Sequence, residues 1–169
     1  MPEPVNKPTF VLIHGAWAGS WVWDALKPEL EAAGHRVLAL DMPGNPQHPA
    51  TAEDISMAGC MAHIASACAE IDGPLLLVGH SGGGVIVTQA AEMLAERVVG
   101  VAYLAGMMLP SGLGFAELTT ELMQRHPEAA GIWPHLHWAE DRQSSTVPPE
   151  AVCEIFLQDL PREQAMAAA

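Results

Sequence analysis

The chain has 169 residues, half of them apolar and 16% charged, a balance that suits one globular domain with a buried core and excludes a disordered polymer. Its formal net charge of −13 opposes phosphate backbones and anionic headgroups, so neither nucleic acid nor a membrane surface is an expected partner. The acidity reads as a solvated surface.

In chain order, the opening MPEPVNKPTF has no basic segment leading into a long apolar one, as a secretory leader would. Thr9 to His14 is a short β-rich run stopped by Gly15. A helix is expected over about Trp21 to Ala33, with Ser20 as N-cap, Gly34 as its stop, and Pro28 delaying or kinking it. Arg36 to Leu40 is the next strand and runs into the turn-forming DMPGNPQHP. A second helix is expected over Ala52 to Glu70, a third strand over Leu75 to Val78, a third helix over Gly83 to Glu96, and a fourth strand over Val98 to Leu104. The longest apolar-plus-glycine run, Val98 to Leu109, falls short of the ~20 residues of a membrane span. Beyond Pro110 the pattern changes to helices over Phe115 to Arg125, Glu150 to Gln158 and Arg162 to Ala168, with a loop rich in His, Trp and Pro. No further β-rich run is evident there. The organisation expected is therefore a core over residues 1–110 and a helical segment over residues 111–169. Three scattered cysteines, Cys60, Cys68 and Cys153, lack CxxC spacing and suit small core hydrophobes in a reducing cytoplasm.

Strands that are apolar throughout, alternating with helices, imply an α/β protein with a parallel sheet covered on both faces. Such sheets gather functional groups at the carboxyl ends of their strands. His14-Gly15, Asp41, Ser81 and Ala105-Gly106 all fall there.

Gly79-His80-Ser81-Gly82-Gly83 is a G-x-S-x-G match between a strand and a helix, the setting of a nucleophile elbow. A serine presented on so sharp a turn needs neighbours without bulky side chains. The Gly82 amide, at a helix N-terminus, is then suited to a developing oxyanion. The competing reading is a glycine-rich turn that only packs closely or cradles a phosphate. Against it, no Walker lysine follows and no G-x-G-x-x-G fingerprint is present, so no cofactor is expected. A second oxyanion donor is sought in His14-Gly15-Ala16-Trp17, from the amide of Ala16 or of Trp17. Trp17 and Met107 are candidate pocket walls, with His14 and His80 beside them. His14 reads as a hydrogen-bonding residue behind the loop, and His80 as packing beside the elbow, because a general base must reach the serine from across the site. His135-x-His137 has no third ligand at convincing spacing, so no metal is expected.

FVLIHGAWAGSWVW, EAAGHRVLALD, LLLVGHSGGG and VAYLAGMMLP resemble the corresponding segments of the α/β-hydrolase superfamily, with the closest likeness to the branch of plant methylesterases, hydroxynitrile lyases and bacterial esterases. The tail AVCEIFLQDLPREQAMAAA resembles the late cap segment of that branch. The resemblance implies an α/β-hydrolase fold with a partial helical cap over the serine, in which Trp133, Trp138, Met107, Met108, Leu109 and Phe115 are candidate apolar walls, with ordinary cap core the alternative role for most of them. It further implies hydrolysis of a small apolar ester through an acyl-enzyme at Ser81. In the lyases of the group a threonine follows the first histidine; Gly15 here favours ester hydrolysis. A non-catalytic ligand-binding relative is the alternative from another functional class.

The fold delivers its triad in the order Ser, acid, His. After Ser81 come His126, His135 and His137, while Asp141 and Asp159 have no histidine behind them. Glu117 or Glu121 with a later histidine meets the order without a rigid strand end to hold it. The resemblance places acid and base after two further strands, which are missing from these residues. The expectation is a low-activity portion whose Val98–Leu104 edge is open to a homodimer or to a complementing C-terminal segment.

Overall fold

A computed structural model describes residues 7–51, 53–142 and 144–168, and it divides into two compact units, Met1–Met108 and Leu109–Ala169. The first unit is built on four strands: β1 (Thr9–Ile13), β2 (Val37–Leu40), β3 (Leu75–His80) and β4 (Val98–Leu104). All pair in parallel, in the order β2-β1-β3-β4. The register aligns the carboxyl ends: Ile13 lies beside Leu40 and Gly79, and His80 beside Leu104. The loop after every strand therefore emerges at one rim.

Successive strand residues point to opposite faces, and both faces are buried. Val11, Ile13, Leu75 and Leu77 pack with Ile64 and Cys68 of α2 (Met57–Ala69) and with Val87 and Ala90 of α3 (Gly83–Met93). On the other face Leu12 and Val78 pack with Trp23, alongside Leu30 of α1 (Leu26–Ala32). Each such side chain contributes about 1.5–3 kcal/mol of burial, and this anchors the rim.

Several boundaries differ from the sequence reading, each for a local reason. Trp21 to Ala33 is not one helix: a 3₁₀ turn, Ser20–Trp23, precedes α1, and Pro28 falls in the first turn of α1, where its missing N–H costs nothing. Ser20 is not an N-cap; its amide and hydroxyl both donate to Asp41. The second helix begins at Met57, capped by the Ser56 hydroxyl accepting from the Gly59 amide at 3.1 Å, and Ala52 lies outside the described residues. The third strand extends to His80, and the third helix ends at Met93. The fourth strand has the expected bounds.

β4 pairs with β3 on one side, and no described strand pairs with its other edge. Val99 and Leu104 are 65% and 51% exposed along it. The second unit holds α4 (Phe115–Arg125) and a two-residue hairpin of β5 (His137–Trp138) and β6 (Ser145–Thr146). It also has a short α5 (Pro149–Ala151) that widens into a π turn over Val152–Phe156, and α6 (Arg162–Ala168). The hairpin escaped the sequence reading because two-residue strands carry no periodicity. The expected helix over Glu150 to Gln158 is this α5 and π turn. Phe115, Trp133 and Trp138 form a run of ring contacts within this unit, at 5.8 and 6.2 Å between centroids, with the Arg142 guanidinium 5.4 Å from the Trp138 ring. Among the described residues no helix is long and apolar enough to cross a membrane, and no three His, Cys, Asp or Glu side chains are grouped to hold a metal ion.

Candidate active site

Ser81 occupies the turn between β3 and α3 with φ 51°, a left-handed conformation that costs a non-glycine residue about 1–3 kcal/mol and persists only where its surroundings enforce it. Those surroundings are main chain. The Ser81 carbonyl accepts from the Gly84 amide at 3.0 Å and from the Met107 amide at 2.9 Å, which ties the turn to both the start of α3 and the segment after β4. The turn is so tight that a Cβ on Gly79 would lie 2.6 Å from the Gly83 carbonyl, and one on Gly83 would lie 2.6 Å from the carbonyls of Ile13 and His14. The glycines of the motif thus permit helix and strand to close against each other.

The loop after β1 meets this turn. The Ala16 nitrogen lies 3.9 Å from where a Gly82 Cβ would stand, so the two amides named in the sequence share one corner. His14 is buried, and both its ring nitrogens are engaged by main chain. The Met42 amide donates to Nε2 at 3.1 Å, which leaves the proton on Nδ1 to donate to the Gly15 carbonyl at 2.8 Å. Trp17, with φ 57°, is 39% exposed beside it. His80 lies edge-on to Trp23, with ring centroids 6.4 Å apart, and its Nδ1 is 3.2 Å from a Cβ built on Gly15. Burial, with a smaller contribution from His14, holds the His80 pKa below the ordinary histidine value.

Ser81, Gly82, Ala16, Trp17, His14, His80 and the Met107 main chain therefore gather at one rim of the first unit. Glu121 pairs with Arg125 at 2.9 Å and His126 with Glu128 at 3.0 Å, each pair close in sequence on exposed side chains of the second unit. The sequence reading gave Ser20 only the role of an N-cap and gave none to Asn45. Their signal is faint, since a serine in a glycine-rich loop and an asparagine in a proline-rich turn are ordinary loop residues.

A parallel sheet with a left-handed serine on the turn between strand and helix, and the loop after the first strand lying beside that turn, is the arrangement of an α/β-hydrolase fold. Residues 10–169 match the family described as Alpha/beta hydrolase family, and the chain belongs to that family. It is 34% identical over 124 residues to Esterase PIR7B of Oryza sativa subsp. japonica, covering 71% of this chain and 46% of the relative. It is 34% identical over 121 residues to Methylesterase 3 of Arabidopsis thaliana, covering 64% of this chain and 43% of the relative. The crystal structure of polyneuridine aldehyde esterase superposes with a TM-score of 0.79 at 24% identity, over 96% of this chain and 67% of that one. The chain thus spans less than half the length of these curated relatives.

Proposed function

We propose that this chain carries the nucleophile and oxyanion-binding portion of a serine carboxylesterase for small, fairly apolar esters. Ser81 Oγ attacks the ester carbonyl carbon as its proton passes to a general base. The carbonyl oxygen becomes an oxyanion received by the amides of Gly82 and Ala16. Collapse breaks the bond to the alcohol, which leaves with the proton, and water then releases the acid from Ser81. Trp17, Met107, His80 and His14 are assigned to the surroundings of the acyl and alcohol groups.

The observation that carries this reading is the φ of 51° at Ser81, inside a G-x-S-x-G turn joining strand to helix. The esterase and methylesterase names of the relatives support it. Gly15 favours hydrolysis over the lyase chemistry of the branch: a Cβ there would lie 2.8 Å from the Ser81 Cβ.

The reading assigns acid and base to a complementing polypeptide segment that adds along the open edge of β4, because no histidine follows Asp141 or Asp159 in the order Ser, acid, His. The competing reading, a ligand-binding relative without turnover, draws on the same observation.

A fluorophosphonate probe separates the two. With the complementing segment present, Ser81 should be labelled and Ser81→Ala should not; absence of labelling there would sink the esterase reading. The 169 residues alone should turn over p-nitrophenyl esters slowly or not at all. Robust turnover would show that the base lies within them and overturn its assignment to another segment.

A further inference from the structure

We propose that the turn following β2, from Asp41 to Asn45, holds the oxyanion-binding amide of Ala16 in place, with Asp41 and Asn45 as positioning residues. This rests on the esterase reading and deepens it. The loop from His14 to Ser20 contains a left-handed residue, Trp17, and no regular secondary structure before Ser20, so its shape depends on what it is tied to.

Four of its hydrogen bonds converge on one segment. At the start of the loop the Met42 amide donates to His14 Nε2 at 3.1 Å. In the middle, Asn45 Nδ2 donates to the Ala18 carbonyl at 2.8 Å. At the end, the Asp41 carboxylate takes two bonds from one residue, 2.7 Å from the Ser20 amide and 2.8 Å from its hydroxyl. Bonds to an ionised carboxylate are about twice as strong as neutral ones, and two from one residue fix direction as well as distance. The contact is also flush: a Cβ on Gly19 would lie 2.8 Å from Asp41 Oδ1 and 3.0 Å from Asn45 Nδ2.

The clamp is itself rigid. Met42 is buried in the cluster with Val11, Ile13 and Leu40. Asn45 donates its amide to the Met42 carbonyl at 3.0 Å and accepts the His48 amide at 2.8 Å, and its side-chain oxygen accepts the Gln47 amide at 2.9 Å. The pairing of Ile13 with Leu40 sets the whole turn beside the loop. Oxyanion stabilisation depends on a donor that does not have to reorganise, and a misplacement of ~1 Å can cost about a hundredfold in rate.

Two near-isosteric substitutions test this. Asp41→Asn removes the charge and one acceptor; Asn45→Asp keeps the shape but removes the N–H that holds Ala18. With the complementing segment present, the rate of Ser81 phosphonylation by a fluorophosphonate, resolved into its concentration dependence and its maximal rate, is measured with hydrogen exchange of the peptide over residues 15–22. Each variant should lower the maximal rate roughly ten- to a hundredfold, leave half-saturation within about twofold, and raise exchange in that peptide but not over α1. Faster exchange with an unchanged rate would reduce the clamp to a structural feature and overturn the proposal, as would unchanged exchange. If the unsubstituted protein is not phosphonylated even with the complementing segment present, the esterase reading falls, and loop exchange alone decides whether the turn holds the loop. Ser20→Ala, which keeps the main-chain bond to Asp41, should have the mildest effect.

Discussion

The two compact units are built on different physics. In Met1–Met108 a parallel sheet buries both faces, and the largest fully buried side chains, Leu12, Ile13, Ile64, Leu75 and Leu77 among them, all belong to it. In Leu109–Ala169 the buried cluster is Ile132, Leu136 and Ala151, and α4 buries none of its residues. A two-sided sheet holds the ends of its strands tightly, so the loops at its rim can sustain left-handed residues such as Trp17 and Ser81. Short helices and turns around a small cluster have fewer contacts to enforce one geometry. The proposed catalytic residues sit on the rigid side of that divide.

Substitution by alanine at matched glycines should expose the contrast most strongly. Gly79→Ala would press a methyl group against the Gly83 carbonyl and Val87, both at 2.6 Å, and should cost about 3 kcal/mol or more. Gly114→Ala meets nothing within 4 Å and should stay within about 0.5 kcal/mol. Urea unfolding of both variants checks this, and equal losses would break the comparison. Next in size, Leu12→Ala, at a fully buried position, should cost about 3 kcal/mol through the cavity it leaves. Ile132→Ala, at a position 7% exposed among short turns, should cost less because the site can collapse, toward about 2 kcal/mol. A larger loss at Ile132 would show the second unit to be the more tightly packed.

Smaller effects sharpen the picture. Ser56 caps α2 with its hydroxyl, so Ser56→Ala should lose about 1 kcal/mol by the same measurement. α4 begins at Gly114 with no side-chain cap, so no residue there can be removed to the same effect.

Acidification should act through the first unit. Burial depresses the pKa of His63, reinforced by His48 and opposed by the main chain and carboxylate of Asp41; burial likewise depresses that of His80. Folding therefore favours the neutral rings. Above the ordinary histidine value of ~6.5 their contribution is complete, and it is lost as pH falls below that value, because the unfolded chain then binds more protons. The urea midpoint should drop modestly between pH 7.5 and 5.5, and less so in His63→Gln. A midpoint indifferent to pH would contradict the burial of these two rings.

Much of both units was legible from local pattern. Strand β4 and helices α4 and α6 fall where apolar runs and periodicity set them, and the elbow was readable because its geometry is enforced by residues adjacent in sequence. The helix expected over Trp21 to Ala33 does start late, at Leu26, as Pro28 implies, whereas the N-cap at Ser20 is a misreading, since a serine before an apolar run looks the same whether its hydroxyl caps a helix or reaches a distant carboxylate. Asp41 was noted only as lying at a strand end.

What the sequence determined by itself was the order of strands and helices through β4 and the sharp turn at Ser81, because glycine placement and apolar runs act within a few residues of chain. What the tertiary structure alone decided was the hold on the loop facing that serine. His14 and Met42, Ala18 and Asn45, and Ser20 and Asp41 lie 21 to 28 residues apart. They become partners only because parallel pairing of β1 with β2 in this register brings Ile13 beside Leu40 and so sets the two following loops side by side.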